Sequence, residues 1–310
     1  MGDVRIVVVG SSNMDLVVKS PRIPAAGETV LGGDLIMVPG GKGANQAVAA
    51  ARLGAHVQFV ARLGNDVFGR NCLENFASVG LDTAHVTMTP NAPSGVALIT
   101  VDDAGQNAIV VAPGANARLS PEDVRRAAAD IRSAGAVVTQ LEVPLDTVQC
   151  AAELARDAGV PFILDPAPAR KLSPTLLALV DVLTPNETEA RILTGIDVTD
   201  ENSACEAARR LLASGVKVAI VTMGAQGFLL ATGDTTEFFA AAPVKAVDTT
   251  AAGDAFTGSL AVGLARGQSL REAATFAGRV AALSVTRRGA QSSMPTRQEV
   301  EEFHPKMSSF

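Results

Sequence analysis

Short runs of β-branched residues alternate with Ala- and Leu-rich stretches along most of this 310-residue chain. The runs are apolar at consecutive positions, which is typical of strands that are buried on both faces. They predict six strands, which are Arg5–Val9, Val57–Ala61, Ala136–Gln140, Phe162–Leu164, Asp181–Leu183 and Val218–Thr222. The stretches between them predict five helices, which are Ala44–Leu53, Phe68–Val79, Pro121–Ser133, Asp146–Ala158 and Glu201–Ala213. This alternation predicts an α/β fold whose mainly parallel sheet is covered by helices.

Two segments break the alternation, because they contain strand-like stretches separated by Gly, Pro and Asp and show no helical pattern. The candidate strands are Leu16–Val18, Thr29–Leu31, Leu35–Met37, Val96–Ile99 and Ala108–Val111, and Asp102–Gly105 predicts a hairpin turn. We predict a β-sheet lid formed by 15–39 and 95–111 on a large domain formed by 1–14, 40–94 and 112–310. Such a small sheet exposes an apolar face, which closes over a ligand or meets another subunit.

The composition argues against several classes of protein. The net charge is -6 and the chain contains no Trp or Tyr, whereas a nucleic-acid-binding protein usually carries a basic stripe with interleaved aromatic residues. The cysteines Cys72, Cys150 and Cys205 are widely separated, so neither a disulfide framework nor a zinc site is indicated. The N-terminal apolar run is too short for a signal peptide and no apolar stretch reaches membrane-spanning length, so we expect a cytoplasmic protein.

The strongest local signal lies at 248–258, where small residues lead into a helical pattern that continues through Leu264. Ala251, Ala252 and Gly253 carry almost no side chain, so an anion can approach their backbone N–H groups at the helix N-terminus, where the dipole favours negative charge. Asp254 falls in the first turn, where its carboxylate can remove the proton of a hydroxyl directed at that anion. An isolated Asp at this position more often complements the helix dipole, but the run of small residues favours a catalytic base.

A second motif, at 39–47, places three glycines before an Ala-rich helix. The glycines allow backbone to approach a ligand closely, and Asn45 has both a donor and an acceptor for sugar hydroxyls. The same pattern would suit a tight loop whose glycines are needed for steric reasons alone, so this motif by itself leaves both interpretations open. It is not a Walker A loop, because Lys42 is followed by Gly43 rather than by Ser or Thr.

Polar residues also follow several of the predicted strands. Asn13 and Asp15 follow the first strand, Glu142 follows the third, and the segments 186–189 and 222–227 follow two later ones. Ligands of open α/β sheets bind at the carboxyl ends of the strands, so this distribution predicts a site along one edge of the sheet. Each of these residues alone is more often a cap or turn residue.

Five motifs, in order and at matching spacing, resemble the pfkB family of carbohydrate kinases over essentially the whole chain. They are GSSNMD at 10–15, GGKGANQA at 40–47, NETE at 186–189, DTTAAGD at 248–254 and TRRGAQ at 286–291. The resemblance implies a three-layer α/β/α fold with a mainly parallel central sheet and a small β-sheet lid that pairs with the lid of a second subunit. It also implies transfer of the ATP γ-phosphoryl group to the 5-hydroxyl of D-ribose, or, in a related member, to deoxyribose or another small sugar.

The resemblance also implies roles by position, with Asp254 as the base and Ala251, Ala252 and Gly253 as its anion hole. The implied ribose contacts are Asn13, Met14, Asp15, Gly41, Lys42, Gly43, Ala44, Asn45, Glu142 and Asp254. The implied nucleotide contacts are Asn186, Thr222, Met223, Gly224, Ala225, Gln226, Gly227, Gly253, Asp254 and Gly278, the last where some members have His or Asn near the adenine. Glu189 would place magnesium through water. A monovalent cation, usually potassium, would be held mostly through backbone oxygens by Asp248, Thr250, Ser284, Arg287, Gly289 and Ser293.

Two other classes of function remain to be weighed against a kinase. A sugar-sensing module that no longer transfers phosphate would be marked by loss of the base or of the anion hole, and both motifs are present. A dinucleotide-dependent enzyme would need GxGxxG after the first strand, where this chain reads GSSN at 10–13.

Overall fold

The computed structural model describes residues 4–304, so the segments 1–3 and 305–310 of the predicted large domain lie outside the described part. The strands are β1 (Arg5–Val9), β2 (Asn13–Lys19), β3 (Leu35–Gly40), β4 (His56–Gly64), β5 (Val86–Thr89), β6 (Gly95–Val101), β7 (Asn107–Ala112), β8 (Ala136–Thr139), β9 (Phe162–Leu164), β10 (Val182–Leu183), β11 (Val218–Thr222), β12 (Gly227–Ala231) and β13 (Thr236–Ala240). The helices are α1 (Lys42–Arg52), α2 (Val67–Ser78), α3 (Pro121–Arg126), α4 (Ala128–Ser133), α5 (Leu145–Ala158), α6 (Pro174–Leu177), α7 (Glu187–Thr194), α8 (Glu201–Ala213), α9 (Ala252–Ala265), α10 (Leu270–Ser284) and α11 (Arg297–Glu302).

The main sheet has nine strands in the order β13-β12-β11-β10-β9-β8-β1-β4-β5. Strands β5 through β11 of this order pair in parallel, and only the pairs β11–β12 and β12–β13 are antiparallel. The six predicted strands form the parallel part together with β5, which the sequence analysis missed, so the prediction of a mainly parallel sheet is confirmed. Because the parallel strands share one direction, their carboxyl ends meet at a single edge, and the candidate site lies there.

Helices cover both faces of the main sheet. Along β1, Ile6 and Val8 lie in one hydrophobic cluster, and Val7 and Val9 lie in the other. The first cluster includes residues of α1, α2, α9 and α10, and the second includes residues of α5 and α8. A strand that is apolar at every position therefore has a core on each side, which confirms the three-layer α/β/α prediction.

Two local predictions were wrong. The helix predicted over 121–133 is interrupted at Ala127, which has φ -89° and ψ 8° and is fully buried. Its amide donates to Val124 O in a 3₁₀-type bond, so the chain changes direction between α3 and α4 while the apolar residue stays in the core. The strand predicted over Thr29–Leu31 is irregular, and Leu31 is 89% exposed, because no neighbouring strand pairs with it.

A second, four-stranded sheet has the order β3-β2-β6-β7. We call this sheet the lid. The predicted hairpin turn joins β6 to β7, with Gly105 at φ 79° and Asp102 N donating to Gln106 O at 2.9 Å. The predicted domain boundaries stay predictions, although the lid strands fall close to them. Within residues 4–304, no helix is both long and apolar enough to cross a membrane.

Candidate active site

The N-terminus of α1 is packed tightly against the turn between β1 and β2. A methyl group at Gly43 would lie 2.6 Å from Ser11 N and 2.7 Å from the Gly10 main chain, so only glycine fits there. Gly41 has φ 88°, a left-handed conformation that also favours glycine. The helix amides are used internally: Ala44 N donates to Ser11 O at 2.9 Å, and Lys42 N donates to Glu142 Oε2 at 3.1 Å. The glycines of this motif therefore meet a steric need, and contact of the motif with a sugar stays a prediction.

The N-terminus of α9 is open by contrast. Its N-cap residue Ala251 is left-handed at φ 59°, and Ala252 N donates to Thr249 O at 3.3 Å. Within residues 4–304, the amides of Gly253 and Asp254 have no hydrogen-bond acceptor. No heavy atom outside the helix and the chain neighbours lies within 4 Å of a methyl group placed on Gly253. Free amides at a helix start are the donors that an anion site needs, and the anion site itself stays a prediction.

Helix α9 packs against α1 closely enough for Asp254 to reach it. At the crossing, a methyl group on Gly258 would lie 2.5 Å from Gln46 O, so the absence of a side chain allows the contact. Asp254 is 4% exposed, and each of its oxygens accepts one amide N–H from α1. Asn45 Nδ2 donates to Oδ2 at 2.8 Å, and Gln46 Nε2 donates to Oδ1 at 3.1 Å.

Burial raises the pKa of Asp254 above its ordinary value, while Lys42 and the two amide donors act in the opposite direction. A carboxylate with a raised pKa is a stronger proton acceptor than an ordinary surface Asp. The second lone pairs of its oxygens remain for a substrate hydroxyl. The geometry therefore provides an oriented base next to free helix amides.

Four carboxylates act on Lys42 at this edge of the sheet, which are Asp165, Asp254, Glu142 and Glu189, and Asp15 lies near two of them. Burial lowers the pKa of Lys42, but the carboxylates of Asp165 and Asp254 act against it and hold the pKa above its usual range. Burial raises the pKa of Asp165 well above its ordinary value and also raises that of Glu189. The pocket therefore contains more carboxylates than amines.

The predicted ribose contacts come together, but not all of them through their side chains. Asp15 lies over Gly40, where a methyl group would be 2.1 Å from Asp15 Oδ2. Burial, with help from Glu142 and Asp254, raises the pKa of Asp15 to about 7. Asn45 Oδ1 is buried without a hydrogen-bond partner in the described residues, so it can accept from a bound hydroxyl. Met14 and Ala44 lie in the core and leave only their main chain for a ligand.

The predicted nucleotide contacts lie along the next strands of the same edge. Asn186 pairs with Thr222 in an isolated parallel bridge. Asn186 and Glu189 form a capping box at the start of α7, with Glu189 N donating to Asn186 Oδ1 and Asn186 N donating to Glu189 Oε2, both at 2.9 Å. Residues 224–226 form a 3₁₀ turn between β11 and β12. The Met223 side chain is 1% exposed and lies in the core.

Gly278, the predicted adenine neighbour, lies on α10 against an aromatic ring. A methyl group there would be 2.9 Å from Phe228 Cε1, so a larger side chain at 278 would displace the ring. The absence of a side chain at 278 therefore matches the packing of Phe228. Contact between Gly278 and a purine stays a prediction.

Five of the six predicted cation ligands lie on two loops that are joined to each other, and the sixth, Ser284, is the last residue of α10. Asp248 Oδ1 accepts from Thr250 N at 3.0 Å, and Asp248 Oδ2 accepts from Gly289 N at 2.8 Å. Val247 N donates to Val285 O at 2.7 Å, which holds the loops together one residue earlier. The Arg287 side chain turns away to Glu299, so only its carbonyl could face an ion. No cluster of three or more His, Cys, Asp or Glu side chains suited to a metal occurs within residues 4–304.

Comparison with known proteins shows the family of the chain. The family model described as "pfkB family carbohydrate kinase" matches residues 3–297. The chain belongs to the pfkB family of carbohydrate kinases.

Among pfkB-family relatives, the chain is 45% identical to a ribokinase of Haemophilus influenzae over 298 residues, which cover 96% of this chain and 97% of the relative. It is 41% identical to a deoxyribokinase of Salmonella typhi over 299 residues, with 96% and 98% covered. The structure of Arabidopsis thaliana ribokinase complexed with ribose and ATP matches with a TM-score of 0.90 at 35% identity, covering 97% of this chain and 98% of that chain.

Three side chains of this pfkB-family pocket were missed by the sequence analysis. Gln46 and Asp165 contact each other, with Gln46 Nε2 donating to Asp165 Oδ2 at 2.7 Å, and Gln140 Nε2 donates to Gln46 Oε1 at 2.6 Å. A signal was available for two of them, since Asp165 directly follows β9 and Gln140 directly follows β8. Gln46 stands inside the glycine motif, but nothing in the sequence indicates that it faces α9.

Proposed function

We propose that this pfkB-family chain is an ATP-dependent kinase that phosphorylates D-ribose at the 5-hydroxyl, giving ribose 5-phosphate and ADP. The observation that carries the proposal is the pairing of Asp254, buried and held by two amide donors, with the free amides of Gly253 and Asp254. Base and anion site lie on the same helical turn, as attack of a hydroxyl on a phosphoryl group requires. Relatives named ribokinase support ribose as the substrate.

In this proposal Asp254 accepts the proton of the ribose 5-hydroxyl as that oxygen bonds to the γ-phosphorus. The bond between the γ-phosphorus and its bridging oxygen breaks, and ADP leaves with the electron pair. The amides at the start of α9 stabilise the negative charge on the transferring phosphoryl group. Asn45 and Gln46 keep both carboxylate oxygens in place while the proton moves.

Two ions fit the donor sets at the site. Magnesium prefers oxygen ligands and retains water, and Glu189 offers a carboxylate oxygen next to the predicted nucleotide contacts. The loops that carry Asp248 and Gly289 provide a carboxylate and several carbonyls for potassium, and Ser284 and Ser293 donate to carbonyls while keeping their own oxygen lone pairs. A bound potassium ion would supply a positive charge that orders the chain leading into α9. A cytoplasmic location stays a prediction from the sequence.

The exposed apolar side chains of the lid support a homodimer. Residues that pair across its strands share a face, so Met37, Leu98 and Val110 lie on one side and Ile36 and Ile109 on the other. All five are about half exposed, so the lid is apolar on both sides. A second copy of the lid would cover such a surface, whereas a lone flap would leave it in water. Leu98→Glu is expected to give a monomer by light scattering, and an unchanged mass would contradict the proposal.

Deoxyribose is the second candidate substrate, because a deoxyribokinase is 41% identical to this chain. A coupled assay of ADP release across pentoses and hexoses, including ribose and 2-deoxyribose, separates the two. We expect the highest kcat/KM with ribose and higher activity with potassium than with sodium alone. Higher kcat/KM with 2-deoxyribose would support the second candidate, and sugar-independent ADP release would contradict both.

A further inference from the structure

Gln46 connects the catalytic carboxylate to a second buried carboxylate through a single amide group. Its Nε2 donates to Asp254 Oδ1 at 3.1 Å and to Asp165 Oδ2 at 2.7 Å, so both N–H bonds are used. Gln46 and Gln140 are fully buried, and Asp165 is 5% exposed. An interior amide that donates to two carboxylates belongs to a polar network in which each group depends on the others.

A hydrogen bond from Gln140 fixes the orientation of the Gln46 side-chain amide. Gln140 Nε2 donates to Gln46 Oε1 at 2.6 Å, which leaves the Nε2 end of Gln46 toward the carboxylates. Gln140 is itself confined, because a methyl group at Gly10 would lie 2.1 Å from Gln140 Oε1. A reversed Gln46 amide would place its oxygen against both carboxylates and its NH₂ group against the Gln140 donor. The reversed amide would therefore make three repulsive contacts.

From this network we infer that Gln46 is a positioning residue that sets the orientation and the pKa of the Asp254 carboxylate. Hydrogen bonds to Gln140 and Asp165 hold Gln46 in place. The inference rests on the proposed role of Asp254 as the base. Gln46 itself has no free donor for a substrate, because both of its N–H bonds are occupied. Its effect on phosphoryl transfer passes through the carboxylate alone.

The charged and polar groups around Asp254 come from several elements. Lys42 and Gln46 approach from α1, Glu142 and Asp165 follow β8 and β9, Asp15 approaches from β2, and Glu189 approaches from α7. In this surplus of carboxylates, a donor to the ionised form of Asp254 lowers its pKa. Loss of the Gln46 donor therefore raises that pKa, and the acid limb of the kcat–pH profile moves to higher pH.

Gln46→Met tests this, since Met matches the length of Gln and cannot donate. We expect kcat to fall about 10- to 100-fold, the range that corresponds to one charge-assisted hydrogen bond, with the KM values for sugar and ATP nearly unchanged. The acid limb should move to higher pH. A role in packing alone would lower the thermal midpoint and leave the pH profile in place, so a superimposable profile overturns the inference.

The matched control is Gln58→Met on β4. Gln58 Nε2 donates to Asp130 Oδ1 at 3.0 Å, so the control removes the same type of bond away from the site and should leave the profile unchanged. If Gln46→Met does not fold, Gln140→Met removes the hydrogen bond that orients Gln46. The acid limb of the kcat–pH profile should then move to higher pH, by a smaller amount than expected for Gln46→Met. No movement in that variant overturns the inference.

A readout without turnover separates this inference from the proposed function. In protein labelled with ¹³C-aspartate, the Asp254 carboxyl signal is assigned by its loss in Asp254→Asn and is then titrated. A higher pKa for Asp254 in Gln46→Met supports the inference even if the chain phosphorylates no pentose. An unchanged pKa overturns it even if ribose is the substrate.

Discussion

Two helices begin at the same edge of the sheet, and each has glycine as its second residue. Gly43 of α1 is enclosed, since a methyl group there would lie 2.6 Å from Ser11 N and 2.7 Å from the Gly10 main chain. Gly253 of α9 faces open space, with no heavy atom within 4 Å outside its helix and chain neighbours. The same residue at the same helical position thus has opposite surroundings.

The difference teaches what a glycine at a helix start is for. At α1 it permits close packing, and the adjacent amides of Lys42 and Ala44 bond to the protein itself. At α9 the amides of Gly253 and Asp254 remain free for a ligand. A run of small residues before a helix therefore does not mark an anion site by itself; what marks it is the absence of an internal acceptor for the helix amides. In the proposed mechanism, α1 supplies the packed wall of the cleft and α9 supplies the base and the free amides.

The largest expected effect is at the carboxylate of the open helix. Asp254→Asn keeps the shape of the side chain but cannot accept a proton, so we expect kcat to fall by about 10²- to 10⁴-fold with KM values close to those of the wild type. Single-turnover ADP release with ribose measures the change. Ordinary kcat in this variant would place the base elsewhere.

Asp200→Asn is the control for that substitution. Asp200 caps α8 in an exposed position, where its side chain accepts from Ser203 N at 2.8 Å. Asn is as good an N-cap as Asp, so kcat and stability should both stay unchanged. A loss of kcat in the control would mean that the assay responds to amide substitution in general.

The second prediction exchanges the two glycines for alanine. Gly43→Ala should destabilise the fold by about 1–3 kcal/mol or more, because the new methyl group meets backbone that cannot move aside. Gly253→Ala should leave the free energy of unfolding unchanged or raise it by up to about 1 kcal/mol, since Ala favours a helix over Gly.

The same two variants should rank in the opposite order in activity: Gly253→Ala, the more stable of the two, should be the less active. Gly253→Ala should lower kcat by about 100-fold, because its methyl group displaces the phosphoryl group from the amides. The folded fraction of Gly43→Ala should retain more activity than Gly253→Ala. Denaturant unfolding and initial rates on the same samples test both halves, and full activity of Gly253→Ala would remove the distinction between the helices.

Features that depend on local patterns were predicted from the sequence better than features that depend on long-range contacts. Six of the seven parallel strands and the lid follow from local patterns, because burial on both faces is visible in the sequence, and the run of small residues before Asp254 marked the open start of α9. The contacts of Gln46 with Asp254 and Asp165 link residues more than 100 positions apart, and they form only when α1 packs against α9 and against the chain that follows β9. The break at Ala127 is likewise decided by burial in the core, whereas Thr29–Leu31 stays irregular because no described strand pairs with it, so neither outcome is visible in local preference.

The smallest expected effect concerns the packed side of the cleft, where Asp15 lies over Gly40. Burial first, and then Glu142 and Asp254, raise its pKa to about 7 from 3.8. The folded state therefore binds a proton more tightly than the unfolded chain, so stability from this group is present at low pH and is lost as pH rises from about 4 to about 7. Asp15→Asn removes that dependence, and the unfolding free energy of the variant minus that of the wild type should increase over this range and level off above it. Urea unfolding at a series of pH values measures the difference. A difference that is constant with pH would show that burial of Asp15 carries no electrostatic cost on the packed side of the cleft.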